Sequence, residues 1–460
     1  MASASTATLT RNREVRIDTA AESTATFWLV TFLAVQFLCQ IALLFEFLGQ
    51  YRVVFRVAAF VISFLALAFL PGAGRRHRSW PFLVAAMVIL AAGVLHPTTN
   101  TPLSAVAHVT LNLTILAPIF WVTRLTITTK VLSQILLLVW GFHTLSSVVG
   151  VLQVIYPGQF QPSVSTVVTS NANSEGLKIT LADGSSVWRP MGLTDVPGGA
   201  ASAGLSAVLF GLGFLTASPR WMVRSAAIGS MICGLFCIYL SQVRVALIIC
   251  GIMIVTFAAV LIWLQRVRDL IWLGLILPAI IIGSFAWALD VGGDGVTNRL
   301  QTLVEDRPDN VYYENRGKFL EYTFTSGLEE YPLGAGLGRW GMTNNYFGDP
   351  SNLFSQSIWA EIQWTAWLYD GGIPLMIAYF GAMLAALYAA LKVARQTQDR
   401  WLSGWAALIA AYDVAVIGLT FSYVPFIGQV GLEFWFLNAA LHTTALVSTQ
   451  PRRFRAGAVA

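Results

Sequence analysis

Long apolar runs separated by short polar connections repeat along almost the whole chain. A bilayer core takes about 20 predominantly apolar residues per helix. Twelve segments meet that demand: 27–48, 52–70, 80–96, 102–123, 130–156, 197–217, 222–243, 245–265, 270–290, 362–391, 401–422 and 427–448. Two connections are long, 157–196 and 291–361. In the first, "LADG" stands between alternating stretches and predicts a β-hairpin. In the second, "YYENRGKFLEYTF" predicts a helix on which Arg316, Leu320 and Thr323 share a face. Such a helix fits equally well lying on the outer leaflet or against protein. The pattern predicts an all-α polytopic membrane protein of about twelve transmembrane helices, built as a single domain over 27–448.

Composition agrees. Of the 460 residues, 56% are hydrophobic and 11% charged, and the mean hydropathy is +0.67, values foreign to a soluble single domain. Residues 1–26 are Ala/Ser/Thr-rich with Arg11, Arg13 and Arg16, and lack a small-residue cleavage site after a short apolar core. They predict a disordered cytoplasmic tail before an uncleaved signal anchor. Residues 449–460 predict a second cytoplasmic tail. With the N-terminus inside, eighteen of the twenty-eight Lys and Arg residues fall on cytoplasmic connections or tails. The positive-inside rule is then met at every such connection, and 157–196 and 291–361 become extracytoplasmic. The net charge of +5 reflects this placement and is no nucleic-acid signature. Cys39, Cys233, Cys237 and Cys250 all lie in apolar segments and read as small core residues.

Fifteen of the chain's charged residues crowd between Asp294 and Glu361. Arg244 stands between two apolar runs in "LSQVRVAL", where an arginine either snorkels or meets a partner. Beyond Pro332, the alternating Gly334, Gly336 and Gly338 let a backbone approach a ligand closely and offer N–H groups to an anion, or simply turn the chain. Glu361, flanked by Trp359 and Trp364 at the next membrane entry, suits a general base or a helix-start acid. Trp340, Trp359, Trp364 and Trp367 read as an interfacial aromatic belt. His108, Asn112, His143, Asp413 and Glu433 lie within apolar segments, where buried hydrogen bonding is the default reading. Asp413, in mid-span "AAYDVAVIG", needs a partner or a proton.

Four stretches in order, "RPMGLTDVPGGAASAG", "LSQVRVAL", "NRGKFLEYTFTSGLEEYPLGAGLG" and "EIQWTAWLYDGGIP", resemble the membrane glycosyltransferase superfamily of O-antigen ligases and Wzy-type polysaccharide polymerases. The resemblance spans roughly 189–375. It implies a GT-C-like fold with a large extracytoplasmic loop carrying amphipathic helices, in a bacterial inner membrane with both termini cytoplasmic. It implies no cofactor and no metal. The donor would be a polyprenyl-pyrophosphate-linked glycan and the acceptor another glycan, with membrane lipids and polysaccharide export or flippase proteins as further partners.

Carried over by position, Arg244 and Arg316 would hold the pyrophosphate and Glu361 would be the base. Arg189, Gly334, Gly336, Gly338, Arg339 and Trp364 would bind substrate. The chain departs from the ligase pattern where a histidine stands eleven residues before the re-entry glycine: here that position is Glu361, counted from Gly372. Val243 precedes Arg244 in place of the usual serine, and Pro374 replaces a small or apolar residue. The lost histidine favours a polysaccharide polymerase, the alternatives being ligase-type transfer to a lipid A core or another acceptor, a secondary transporter, or a non-enzymatic assembly protein.

Overall fold

A computed structural model describes residues 2–72, 74–164, 174–301, 310 and 312–449. Helices follow the apolar runs. The first are α1 (Ala2–Ala42), α2 (Arg52–Phe69), α3 (Trp80–Gly93), α4 (Pro102–Leu116) and the short α5 (Pro118–Trp121). α6 (Thr129–Ile155) and a single turn, α7 (Pro157–Phe160), lead into the first long connection. Beyond it come α8 (Ala200–Ala217), α9 (Trp221–Leu240), α10 (Arg244–Trp263) and α11 (Val267–Gln301). The second long connection carries α12 (Lys318–Phe324), α13 (Ser326–Glu330) and α14 (Gly341–Phe347). α15 (Gln363–Gln396), α16 (Arg400–Leu419) and α17 (Gln429–Thr449) complete the bundle.

Among the described residues, nine helices are long and apolar enough to cross a membrane, and the α4–α5 pair, bent by 41°, makes a tenth if counted as one span. The chain is thus an all-α polytopic membrane protein. Every one of the twelve predicted segments contains a helix, but α3 stops after 14 residues, where "GVLHPTTN" breaks it. Two expectations change at the N-terminus. The helix begins at Ala2, inside the stretch expected to be disordered, and its membrane-length part is Ala20–Ala42. Residues 450–460 of the expected C-terminal tail lie outside the described residues.

The predicted hairpin is present: β1 (Lys178–Thr180) pairs antiparallel with β2 (Ser186–Trp188), Lys178 opposite Trp188. It rests on the end of α11, where Ala182 N–H donates to the Val291 carbonyl at 3.1 Å.

Side-chain contacts gather the basic connections at one end of the bundle. Arg124 donates to the Leu67 and Leu70 carbonyls, Arg78 covers the Tyr388 ring, and Arg266 donates to the Arg400 carbonyl. Small residues bring helices close: a methyl group on Gly204 of α8 would lie 2.5 Å from the Gly234 carbonyl of α9, the backbone-to-backbone approach typical of membrane helices. The core between helices is aromatic, with Trp121, Trp367, Trp405, Trp435 and Tyr379 fully buried.

His77, in the connection before α3, is buried at the arginine-rich end with its Nδ1 accepting from Ser79 N–H. Burial, with His442 and Arg78 nearby, lowers its pKa to about 3. A histidine kept neutral in the fold but free to protonate when unfolded costs stability as pH falls below about 6.5. Between pH 7.5 and 5 that loss is on the order of 2 kcal/mol. His77→Asn, whose carbonyl can take over the bond from Ser79, is expected to remove that part of the pH dependence. Thermal unfolding of both proteins at the two pH values measures it.

Candidate functional site

The second long connection folds down onto the bundle. Helix α12 is preceded by a π-helical turn, Tyr313–Gly317, that carries Arg316. Tyr312 Oη donates to the Phe421 carbonyl at 2.9 Å, and Arg316 Nε donates to the Ser422 carbonyl at 3.0 Å, both just beyond the end of α16. Buried Thr323 meets Thr365 of α15 through a 2.7 Å hydroxyl contact. The face predicted for Arg316, Leu320 and Thr323 therefore packs on protein and not on the lipid surface.

Arg316 Nη1 forms an ion pair with Glu361 Oε1, and Trp359 Nε1 donates to Glu361 Oε2 at 2.6 Å. The structure thus brings two of the three proposed catalytic residues into contact. Both Glu361 oxygens are engaged, so the carboxylate as it stands is a partner of Arg316 and not a free base. Glu361 also sits in the irregular segment before α15, which starts at Gln363, and not at the helix start.

Arg244 is the first residue of α10, and its buried Nε finds no hydrogen-bond partner among the described residues. Its level in the bundle follows from helix packing. Gly404 of α16 lies against Arg266 and Gly418 against Ile249, so α10 and α16 run antiparallel. Arg244 stands five residues before Ile249 and Ser422 four after Gly418, each about one helical turn beyond the shared contact. Arg244 and the Arg316 dock are therefore neighbours in height on adjoining helix ends. Arg189 joins the Arg244 side: a methyl group on Gly198 would lie 3.6 Å from Val243 Cγ2 and 3.9 Å from Arg189 Cδ.

The segment after Arg189 is buried although it is not helical. Gln153 Oε1 of α6 accepts from the Met191 and Gly192 N–H groups at 2.8 Å each, and Ser146 Oγ accepts from Leu193 N–H at 3.0 Å. Irregular backbone at such depth survives only where protein groups satisfy it.

The glycine turn packs tightly on the bundle. Gly334, Gly336 and Gly338 all have φ between +72 and +108°, and all are buried against protein backbone. A methyl group on Gly336 would lie 2.7 Å from the Thr98 carbonyl carbon, and one on Gly338 would lie 2.3 Å from Ser104 Oγ. Gly334 lies against α15, where a methyl group would stand 3.1 Å from the Tyr369 carbonyl oxygen and where the helix breaks at Gly371 and Gly372. Ala335 N–H donates to the Tyr369 carbonyl at 2.8 Å, and Ile373 N–H donates to the Pro332 carbonyl at 3.0 Å. The turn supplies hydrogen bonds to a broken membrane helix. Arg339 is spent in the same region, donating to the Ala335 carbonyl at 2.7 Å and the Gln356 carbonyl at 3.0 Å.

Trp364 is likewise core, packed among Phe324, Trp367, Phe380 and Phe421. Trp367 and Trp340 are also buried, whereas Trp359 is 68% exposed and free to meet a sugar. Around the turn, burial together with Glu330 raises the Tyr331 phenol to about 12. Burial raises Tyr322 further, with Tyr369 and Glu330 adding to it. These phenols remain protonated donors at any working pH.

Buried polar pairs within the spans fulfil the default reading of the intramembrane residues. His108 Nε2 contacts Asp370 Oδ2 at 2.9 Å, and Trp340 Nε1 donates to Asp370 Oδ1 at 2.7 Å. His143 Nε2 contacts Glu433 Oε1 at 3.0 Å, and Asn438 Nδ2 donates to Asp413 Oδ1 at 2.7 Å. Asp370 went unremarked in the sequence, though an acid immediately before "GGIP" marks a break that would need it.

No protein-family model matches the chain, and no curated protein matches it.

Two outcomes follow. Gly372 has φ +64°, and a methyl group there would lie 2.1 Å from the Pro332 carbonyl oxygen. Gly372→Ala is expected to cost about 3 kcal/mol or more, read as a lowered unfolding temperature in detergent. Arg316→Ala should release α12 from α16, raising amide hydrogen exchange over 312–330 roughly tenfold while leaving α8 and α9 unchanged.

Proposed function

We propose that the protein is a membrane glycosyltransferase acting on a polyprenyl-pyrophosphate-linked glycan at the outer face of a bacterial inner membrane, most specifically a polysaccharide polymerase. The observation that carries this reading is the Arg316–Glu361 ion pair, at the same level of the bundle as the half-buried Arg244 on an adjoining helix end. A diphosphate entering there competes with Glu361 for Arg316. Guanidinium grips phosphate oxygens through two parallel N–H bonds and stays charged throughout.

That exchange does two things at once. It places Arg316 and Arg244 on the group where charge develops as the bond from the anomeric carbon to the lipid diphosphate breaks. It also frees the Glu361 carboxylate to take the proton of the acceptor hydroxyl whose oxygen forms the new glycosidic bond. Trp359, exposed and bonded to the same carboxylate, offers a face for the incoming sugar.

A second reading is a secondary transporter. It is favoured by the broken helix α15, whose Asp370 pairs with His108 inside the bundle, and by the buried His143–Glu433 pair. Discontinuous helices and membrane-level ionisable groups are what such proteins use.

The two are separated by incubating purified protein with polyprenyl-pyrophosphate-linked oligosaccharide, with and without divalent cation. Longer glycans and released lipid diphosphate are expected. Glu361→Gln should lower the rate about 100-fold or more and Arg316→Lys by a similar factor. Solute uptake into vesicles with no glycan product would establish the transporter reading instead.

A further inference from the structure

At the end of the bundle opposite Glu361, a cavity of about 510 Å³ opens where α10 meets α11 and α15 meets α16, lined in part by Arg266, Arg268, Arg395 and Arg400. The acids nearby are already occupied. Asp269 is buried and held by Arg266 Nε at 2.6 Å and Arg400 Nη2 at 3.2 Å. Asp399 caps α16 by accepting from the Trp401 and Leu402 N–H groups. Arg268 is exposed and forms no ion pair among the described residues. Arg395 is exposed too, its guanidinium 5.5 Å from the centre of the Trp263 ring. Two guanidinium groups are therefore left facing a polar hollow, neither of them ion-paired among the described residues.

The surface beside the hollow is apolar and open. Val267, Ile271 and Leu275 repeat every fourth residue along α11, placing them on one face, and are 63, 57 and 68% exposed. In a membrane protein such a stripe faces acyl chains. A cationic hollow at the head of an acyl-facing stripe matches one chemistry: a phosphodiester headgroup with its chains attached. We propose that this end of the bundle is a binding site for an anionic phospholipid, with Arg268 and Arg395 on the phosphate, Trp263 holding Arg395 in place, and the chains along Val267, Ile271 and Leu275.

Free phosphate shares the charge but not the stripe, so the test separates them. Purified full-length protein is titrated with phosphatidylglycerol, cardiolipin, phosphatidylcholine and inorganic phosphate, with bound lipid counted by native mass spectrometry. The two anionic lipids are expected to bind and phosphatidylcholine is not; phosphate should fail to displace them. The double variant R268Q/R395Q should weaken anionic-lipid binding about thirtyfold, two arginines' worth of attraction at a membrane surface. Ile271→Ser should weaken it less, leaving selectivity over phosphatidylcholine intact. Equal binding of phosphatidylcholine, saturation by phosphate alone, or unchanged binding in the double variant would each overturn the proposal. Unfolding temperature in lipid-free detergent shows whether the double variant folds; if it does not, the exposed-site single variant R268Q carries the same test.

Discussion

Asp370 cannot stand alone. It lies buried in a helix that crosses the membrane, one residue before that helix breaks at Gly371 and Gly372. A carboxylate and two sets of severed backbone groups in such a place each cost several kcal/mol unless protein groups meet them. His108 and Trp340 meet the carboxylate, and the Pro332–Ala335 turn meets the backbone. Much of the second long connection follows from this demand. The three buried glycines let the turn press close enough, and Arg339 and Thr98 then hold it by donating to the Ala335 carbonyl. The chain leaving the turn passes through α14, where Thr343 contacts the far side of the His108 ring, before it reaches Glu361.

Two kinds of charged pair result, and they differ in what they can do. His108–Asp370 and His143–Glu433 are enclosed by helices, and removing one partner would strand the other without water. Such pairs are permanent fittings. The Arg316–Glu361 pair is 33 and 21% exposed, so solvent screens it and its net worth is small. It can exchange partners with an anion at little cost.

The two ends of the molecule also divide their labour. One end collects the short basic connections, where arginines bond to helix-terminal carbonyls, cover aromatic rings and border the cationic cavity. The other carries the hairpin, the packed amphipathic helix and the buried segment after Arg189. Polar residues at that end are held by neighbours from distant parts of the sequence: Arg316 by Ser422, Arg339 by Gln356, Thr323 by Thr365.

The sequence by itself determined what depends on composition and short range: the apolar runs and their helices, the gathering of basic connections, and the hairpin around "LADG". These follow from length, propensity and turn chemistry, each readable within a few residues. It also pointed to Arg316 and Glu361, because charge in a greasy chain is conspicuous. Only the tertiary structure decided that these two neutralise each other and that Trp364 is core while Trp359 is open. It alone revealed that the glycine turn packs against a broken helix. The reason is that satisfaction of a buried polar group is a property of whichever segment lies opposite it. His108 and Asp370 are 262 residues apart, and nothing local to either names the other.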